Sequence, residues 1–277
     1  MHGRDRLQRD PAVGLSRRDV SVAADWLAPD WRVARVGALM TTRRGGRSVA
    51  PYASMNVGTA VGDSVDAVAA NRAQLADAIG ARPVFMRQVH GARVVRVGLA
   101  DTGERAPVHE ADACVTTEPG VACVVQAADC LPVLLAAPDG RAVGAAHAGW
   151  RGLAGGVVEA TIAAVCAAAA CEARELSAWL GASIGPGAFE VGADVLAAFD
   201  VDPTDSSLER STRFAAHAPG KWLADLPGLA RDRLTAAGVG RVDGGQWCTV
   251  SDPSRFFSFR RDGITGRMAA AVWIEPG

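Results

Sequence analysis

Two side chains able to bind a metal, or to act as nucleophile and base, stand at opposite ends of one apolar stretch. In VVQAADCLPVLLAAPDGRAVGAAHAGWRG, residues 124–152, Cys130 opens the first apolar run and His147 closes the second, with Pro138-Asp139-Gly140 between them. If residues 131–137 and 141–146 form a β-hairpin about that turn, paired residues have numbers that sum to about 277 to 279. Cys130 and His147 sum to 277. Thiol and imidazole are then cross-strand neighbours, with Cβ atoms roughly 4.5 to 5.5 Å apart. Such a pair suits a nucleophile with its general base, and equally two of the three ligands of a catalytic zinc whose fourth position stays open.

A third donor would favour the metal. Of the five histidines, His2 lies near the N-terminus, His109 in a loop beside Glu110 and His217 in a polar excursion. His90, in MRQVHGARVV, ends an apolar strand just before Gly91, the context that His147 has before Ala148-Gly149. His90, Cys130 and His147 thus make a soft-ligand set. Strand-end histidines are more often structural, and isolated buried cysteines are mostly inert, so nucleophile and ligand readings both stand at this point.

The elements that must position these residues follow from periodicity. Strands are expected near 32–41, 84–89, 93–98, 112–117, 121–126, 131–137, 141–147, 177–184, 246–250 and 268–274. Helices are expected over Val65–Ile79, 155–170, 192–199 and 225–237, with an irregular polar stretch over 201–221. Strands both follow one another and alternate with helices, so the fold class is α/β (α+β), a mixed sheet covered by helices. Residues 1–25 read as a flexible tail and 26–277 as a single catalytic domain.

Composition narrows the function classes. Lys and Arg number 29 against 30 Asp and Glu, a balance that offers no electrostatic reason for a nucleic-acid or membrane-surface partner. No apolar run reaches the roughly 18 residues of a membrane span, and the first residues lack a signal peptide's apolar centre, so a cytoplasmic location is expected. The six cysteines contain no C-x-x-C pair, and reduced thiols are expected there.

Motifs then add to spacing. QVHG, ADC followed by Pro132, AHAGWRG, TTRRGG, SMNVG, ADACVTT, IGPGAFEVG and FFSFRRDGITGRMA resemble those of the family once labelled multicopper polyphenol oxidase (laccase-like). Its members are now described as purine nucleoside phosphorylases, and some as a peptidoglycan editing factor. The resemblance implies a layered domain similar to the catalytic domain of the cytotoxic necrotizing factor deamidases. It implies a zinc held by His90, Cys130 and His147. It also implies phosphate-dependent cleavage of adenosine, inosine, guanosine and 5'-methylthioadenosine, together with adenosine deamination. A long N-terminal tail, and Arg47 where the family commonly has a hydrophobic residue, are the departures.

That chemistry asks for defined partners. Deamination would use a zinc-activated water at C6 of adenine, and phosphorolysis an anion site beside the ribose. Arg43, Arg151 and Arg260 are the expected phosphate ligands, Arg43 foremost and also assigned a catalytic role with Cys130. Asn56 is expected to orient the attacking group and Gln88 to bind ribose or base, although both amides could instead satisfy backbone groups. Asp129 is expected to lie on a strand, facing away from Cys130. The partners expected are small molecules, purine nucleosides and phosphate. Alternatives are a cysteine or zinc amide hydrolase that edits peptidoglycan precursors, and a copper oxidase, for which five histidines without a His-x-His pair are too few.

Overall fold

The computed structural model describes residues 25–31, 33–103, 106–204 and 211–276. The tail expected over 1–25 therefore lies, apart from Asp25, outside the described residues. Along the chain run β1 (Val36–Met40), α1 (Val65–Ile79), β2 (Arg82–Val84), β3 (Val94–Arg96), β4 (Ala113–Thr116), β5 (Val121–Ala127), β6 (Leu131–Ala136) and β7 (Val143–Ala148). They are followed by α2 (Trp150–Ala154), α3 (Val157–Ala169), β8 (Ser177–Leu180), β9 (Glu190–Val191), α4 (Ala193–Ala198), β10 (Phe214–Ala218) and β11 (Lys221–Ala224). The last elements are α5 (Leu226–Ala236), β12 (Arg241–Gly244), α6 (Phe259–Asp262) and β13 (Met268–Ile274).

Two mixed sheets form the centre. One has the order β12-β8-β6-β7-β4-β3 and the other β1-β13-β5-β2, while β10-β11-β9 makes a smaller third sheet. The alternation of side chains across each strand explains the layering. In β6, Leu131, Val133 and Leu135 join a core cluster with Val157, Ile162, Val165 and Leu234 of α3 and α5. Leu134 and Ala136 point the other way, into a core shared with Cys123, Val125, Ala270 and Val272 of the second sheet. On that sheet's outer face Ala122, Val124, Ala269 and Ala271 pack against Leu75 and Ile79 of α1. The central layers run helix, sheet, sheet, helix. Strands buried on both faces read as continuous apolar runs, which is why residues 131–137 show no polar alternation.

Several expected boundaries move. The helix expected over 155–170 is α3, Val157–Ala169, and a short helix that was not expected, α2, precedes it, the two separated at Gly156 with its left-handed φ of 88°. The strand expected over 84–89 shrinks to Arg82–Val84, with Arg87 in one isolated bridge to Glu110. The strand expected over 246–250 is corrected: β12 precedes it, and Cys248 makes only an isolated bridge to Ser183. The polar stretch 201–221 is not wholly irregular, since Phe214–Ala218 forms a hairpin with β11 that ties down its end. No helix among the described residues is long and apolar enough to cross a membrane.

Candidate metal centre

Three segment ends build the site. In the β6–β7 ladder His147 lies opposite Pro132, a pairing sum of 279, so Cys130 sits just before β6 and diagonal to His147. His90 comes from the loop between β2 and β3. The ligand atoms of His90, Cys130 and His147 all lie within 4.8 Å of one another, and the two imidazole rings are 4.9 Å apart at 71°. His147 is buried, Cys130 half-buried and His90 exposed, so the group is reached from the His90 side. These three residues could hold a metal ion.

One carboxylate arranges two of them. Asp112, fully buried at the start of β4, accepts hydrogen bonds from the backbone N–H groups of Val89 (3.1 Å), His90 (2.8 Å) and Gly91 (2.7 Å). The convergence of three successive N–H groups on an anion supports the left-handed φ of 62° at His90. The same carboxylate lies 2.9 Å from Nδ1 of His147. That bond places the imidazole proton on Nδ1 and leaves Nε2 for the sulfur side, the arrangement that a buried carboxylate imposes on metal-binding histidines.

Burial pushes the Cys130 thiol up, but the charge of His147 and hydrogen bonds from His147 and His90 outweigh it and bring it to about 6. Burial pushes His147 down, while the Cys130 thiolate and Asp112 lift it to about 9. Both shifts favour a thiolate on Cys130 beside an imidazolium on His147. A divalent cation bound here would replace the imidazolium proton and be held by the Cys130 thiolate with the His147 and His90 nitrogens.

Close packing leaves no room for side chains between the donors. A Cβ on Gly149 would stand 2.9 Å from Cys130 Sγ and 3.0 Å from His90 Cδ2, so the backbone entering α2 must be glycine for the donors to meet. Asp129 is not on a strand as expected. It has φ 101° in the turn before β6, where its carboxylate accepts from Thr249 Oγ1 (2.5 Å) and the Arg260 backbone N–H (2.6 Å). Its carbonyl accepts from Ile184 N–H at 2.8 Å, so Asp129 pins the Cys130 turn to three distant segments, one of them the start of α6.

The expected anion ligands divide. Arg43 lies over the Phe257 ring, 4.8 Å from its centre, and donates to the carbonyls of Ala53 (3.1 Å) and Pro253 (3.0 Å), which occupies much of its guanidinium. Arg260 donates through Nη1 to the Glu190 carbonyl at 3.0 Å and is tied by its backbone to Asp129, the neighbour of Cys130. Arg151, on α2 just after Gly149, stacks on Trp150 at 4.2 Å and is exposed. Asn56 is buried and fully bonded: its amide donates to Gly58 and Asp63 and accepts from the N–H groups of Gly58 and Arg267. Gln88 exchanges two bonds with the backbone of Gln126, at 2.8 and 2.7 Å. Both amides hold backbone in place, the reading that stood beside their substrate roles.

Two supporting residues escaped sequence reasoning: Asp112 and Arg267. Arg267 is half-buried, its backbone N–H fixed by Asn56 Oδ1 at 2.8 Å, and its guanidinium lies in the electrostatic reach of Cys130 and Asp129. An acidic residue at the head of a wholly apolar strand, as in ADACV, is the signal that could have found Asp112, because such residues are rarely buried without a partner.

Residues 37–275 match the model of a family described as multi-copper polyphenol oxidoreductase laccase. The chain is 46% identical over 251 residues to the Pseudomonas aeruginosa protein named purine nucleoside phosphorylase PA4543, covering 90% of this chain and 98% of that protein. It is 43% identical over 252 residues to purine nucleoside phosphorylase YfiH of Escherichia coli, with the same coverage of 90% and 98%. Among solved structures, a Neisseria meningitidis protein superposes with a TM-score of 0.82 at 46% identity, over 91% of this chain and 99% of that one. YlmD from Geobacillus stearothermophilus gives a TM-score of 0.82 at 33% identity, over 91% and 96%. With a match running from β1 to the end of β13, this chain belongs to the family that carries the laccase description and includes relatives named purine nucleoside phosphorylases.

Proposed function

We propose that the protein is a zinc-dependent purine nucleoside phosphorylase, a transferase that converts adenosine, inosine, guanosine or 5'-methylthioadenosine and phosphate into free base and ribose 1-phosphate. The same site would deaminate adenosine. In this reading residues 26–277 act as one catalytic domain in the cytoplasm, on small molecules alone. The observation that carries it is the convergence of His90, Cys130 and His147, open on one side and backed by Asp112, in a chain so similar to proteins named for this activity.

Two imidazole nitrogens and one thiolate favour zinc over harder cations. Bound there, zinc would supply Lewis acidity of the kind that activates water near neutral pH. The chain's own groups do the rest. Asp112 keeps the His147 proton on Nδ1 and holds the His90 loop in place. Phosphate would be held by Arg43, Arg151 and Arg260, with Arg267 adding positive charge that acts on Cys130 and Asp129. Arg43 and Asn56 contribute by holding the loops that carry Arg255 and Arg267.

The thiolate–imidazolium pair favours one second reading, a cysteine or zinc amide hydrolase acting on peptidoglycan precursors. A single experiment separates the two. Metal-quantified protein is incubated with adenosine, with and without phosphate, and the products are identified by mass spectrometry. Adenine with ribose 1-phosphate only when phosphate is present is the expected result, with inosine in both conditions marking deamination and Cys130→Ala abolishing both. Unchanged adenosine from protein carrying stoichiometric zinc overturns the proposal in favour of the hydrolase.

A further inference from the structure

A second pair of sulfurs lies at the far end of α3. The helix stops at Ala169, and Ala170 turns into the left-handed region with φ 49° and ψ 52°. The N–H groups of Ala170 and Cys171 both point back to the Cys166 carbonyl, the second at 3.1 Å. This is the six-residue closure of a Schellman cap, which brings the side chain of the residue accepting the bond against that of the residue donating it. In an ordinary cap that contact joins two apolar side chains. Here both are cysteines, and both are half-buried, whereas Cys114 and Cys123 are sealed in the core.

We propose that Cys166 and Cys171 form a dithiol site that closes to an intramolecular disulfide by exchange with a low-molecular-weight disulfide. The backbone has already brought the two residues together, so closure needs side-chain rotation and no refolding. Burial, then the neighbouring Cys171 thiol and the Glu175 carboxylate, push Cys166 up to about 11, so it keeps its proton and Cys171 reacts first. The Cys171 thiolate bonds to one sulfur of the reagent and expels the other half as a thiolate. Cys166 then loses its proton to solvent, attacks the Cys171 sulfur and expels the second half of the reagent. Two protein thiols are oxidised by two electrons in all, and one reagent disulfide is reduced to two thiols.

The 13 residues of α3 place this site about 20 Å from the Gly156 end of the helix, where the metal centre's segment begins. The bond therefore staples the helix end without touching the nucleoside site. To test this, the full chain is incubated with oxidised glutathione, digested with trypsin at mildly acidic pH without reductant, and analysed by mass spectrometry. Cleavage after Arg151 and Arg174 leaves both cysteines in one peptide, residues 152–174, with no other cysteine. The expected result is that this peptide loses two hydrogens and resists alkylation, and that dithiothreitol reverses both changes. The oxidised protein should also unfold at a higher temperature than Cys166→Ala and Cys171→Ser treated alike, with nucleoside turnover unchanged. A peptide that stays reduced, or that carries glutathione on Cys171 without closing, overturns the proposal, and either outcome is independent of whether adenosine is turned over.

Discussion

Asp112 is the residue on which the site's geometry turns, because one carboxylate receives three backbone N–H groups from the His90 loop and also orients His147. Removing such an outer partner typically costs about 10- to 100-fold in metal affinity or activity, so Asp112→Asn should lower zinc affinity by that factor in a competition titration with a chromogenic chelator. Gly149→Ala tests the close packing directly. Its Cβ would stand 2.9 Å from Cys130 Sγ, and the expected outcome is a folded protein by circular dichroism whose metal content drops well below that of the parent. At this scale Cys130 and His147 were legible in the sequence, since a hairpin with a short turn makes them neighbours whatever the rest of the fold does. Asp112 was not, since its partners at 89–91 and 147 meet only in three dimensions. Nor could spacing tell that Asn56 and Gln88 spend their amides on backbone.

At the level of elements, β6 carries the most consequence, because it sits inside the larger sheet with apolar cores on both faces. Leu134→Ala, between the two sheets, should destabilise the fold by roughly 2 to 5 kcal/mol in denaturant titration, the range for truncating a buried leucine. Gly156 marks the junction of α2 and α3 at φ 88°, and Gly156→Ala should cost about 1 to 2 kcal/mol by the same measurement, the strain of a left-handed non-glycine residue. Long periodic segments such as α1 and the β6–β7 hairpin were read nearly to the residue from pattern alone. The 246–250 segment misled because its residues are spent on tertiary pins: Thr249 bonds Asp129, and Cys248 accepts from the Gly185 N–H. A segment that bonds across the fold with its side chains carries a strand-like composition without a ladder.

For the whole molecule, several carboxylates tie loops together and titrate low. His109 holds Asp101 down, Arg213 holds Asp232 down and Arg261 holds Asp262 down. Burial raises the Asp112 carboxyl, and His147 with the backbone N–H groups more than offsets it. Folded values below the unfolded ones mean that this stabilisation is present above pH of about 4 and is lost as pH falls through the folded values. The unfolding temperature should therefore fall as pH drops below about 4, and less steeply in Asp112→Asn, when measured by calorimetry across that range. The sequence by itself determined the mixed α/β class, the main strands and helices, and the neighbourhood of Cys130 and His147, because burial periodicity and turn chemistry act over a few residues. Only the tertiary structure decided that Asp112 braces the His90 loop and His147 together, and that Asp129 ties the Cys130 turn to Thr249 and Arg260. The Asp129 brace alone joins positions 131 residues apart, and which of these contacts close depends on how the layers stack, which no local pattern encodes.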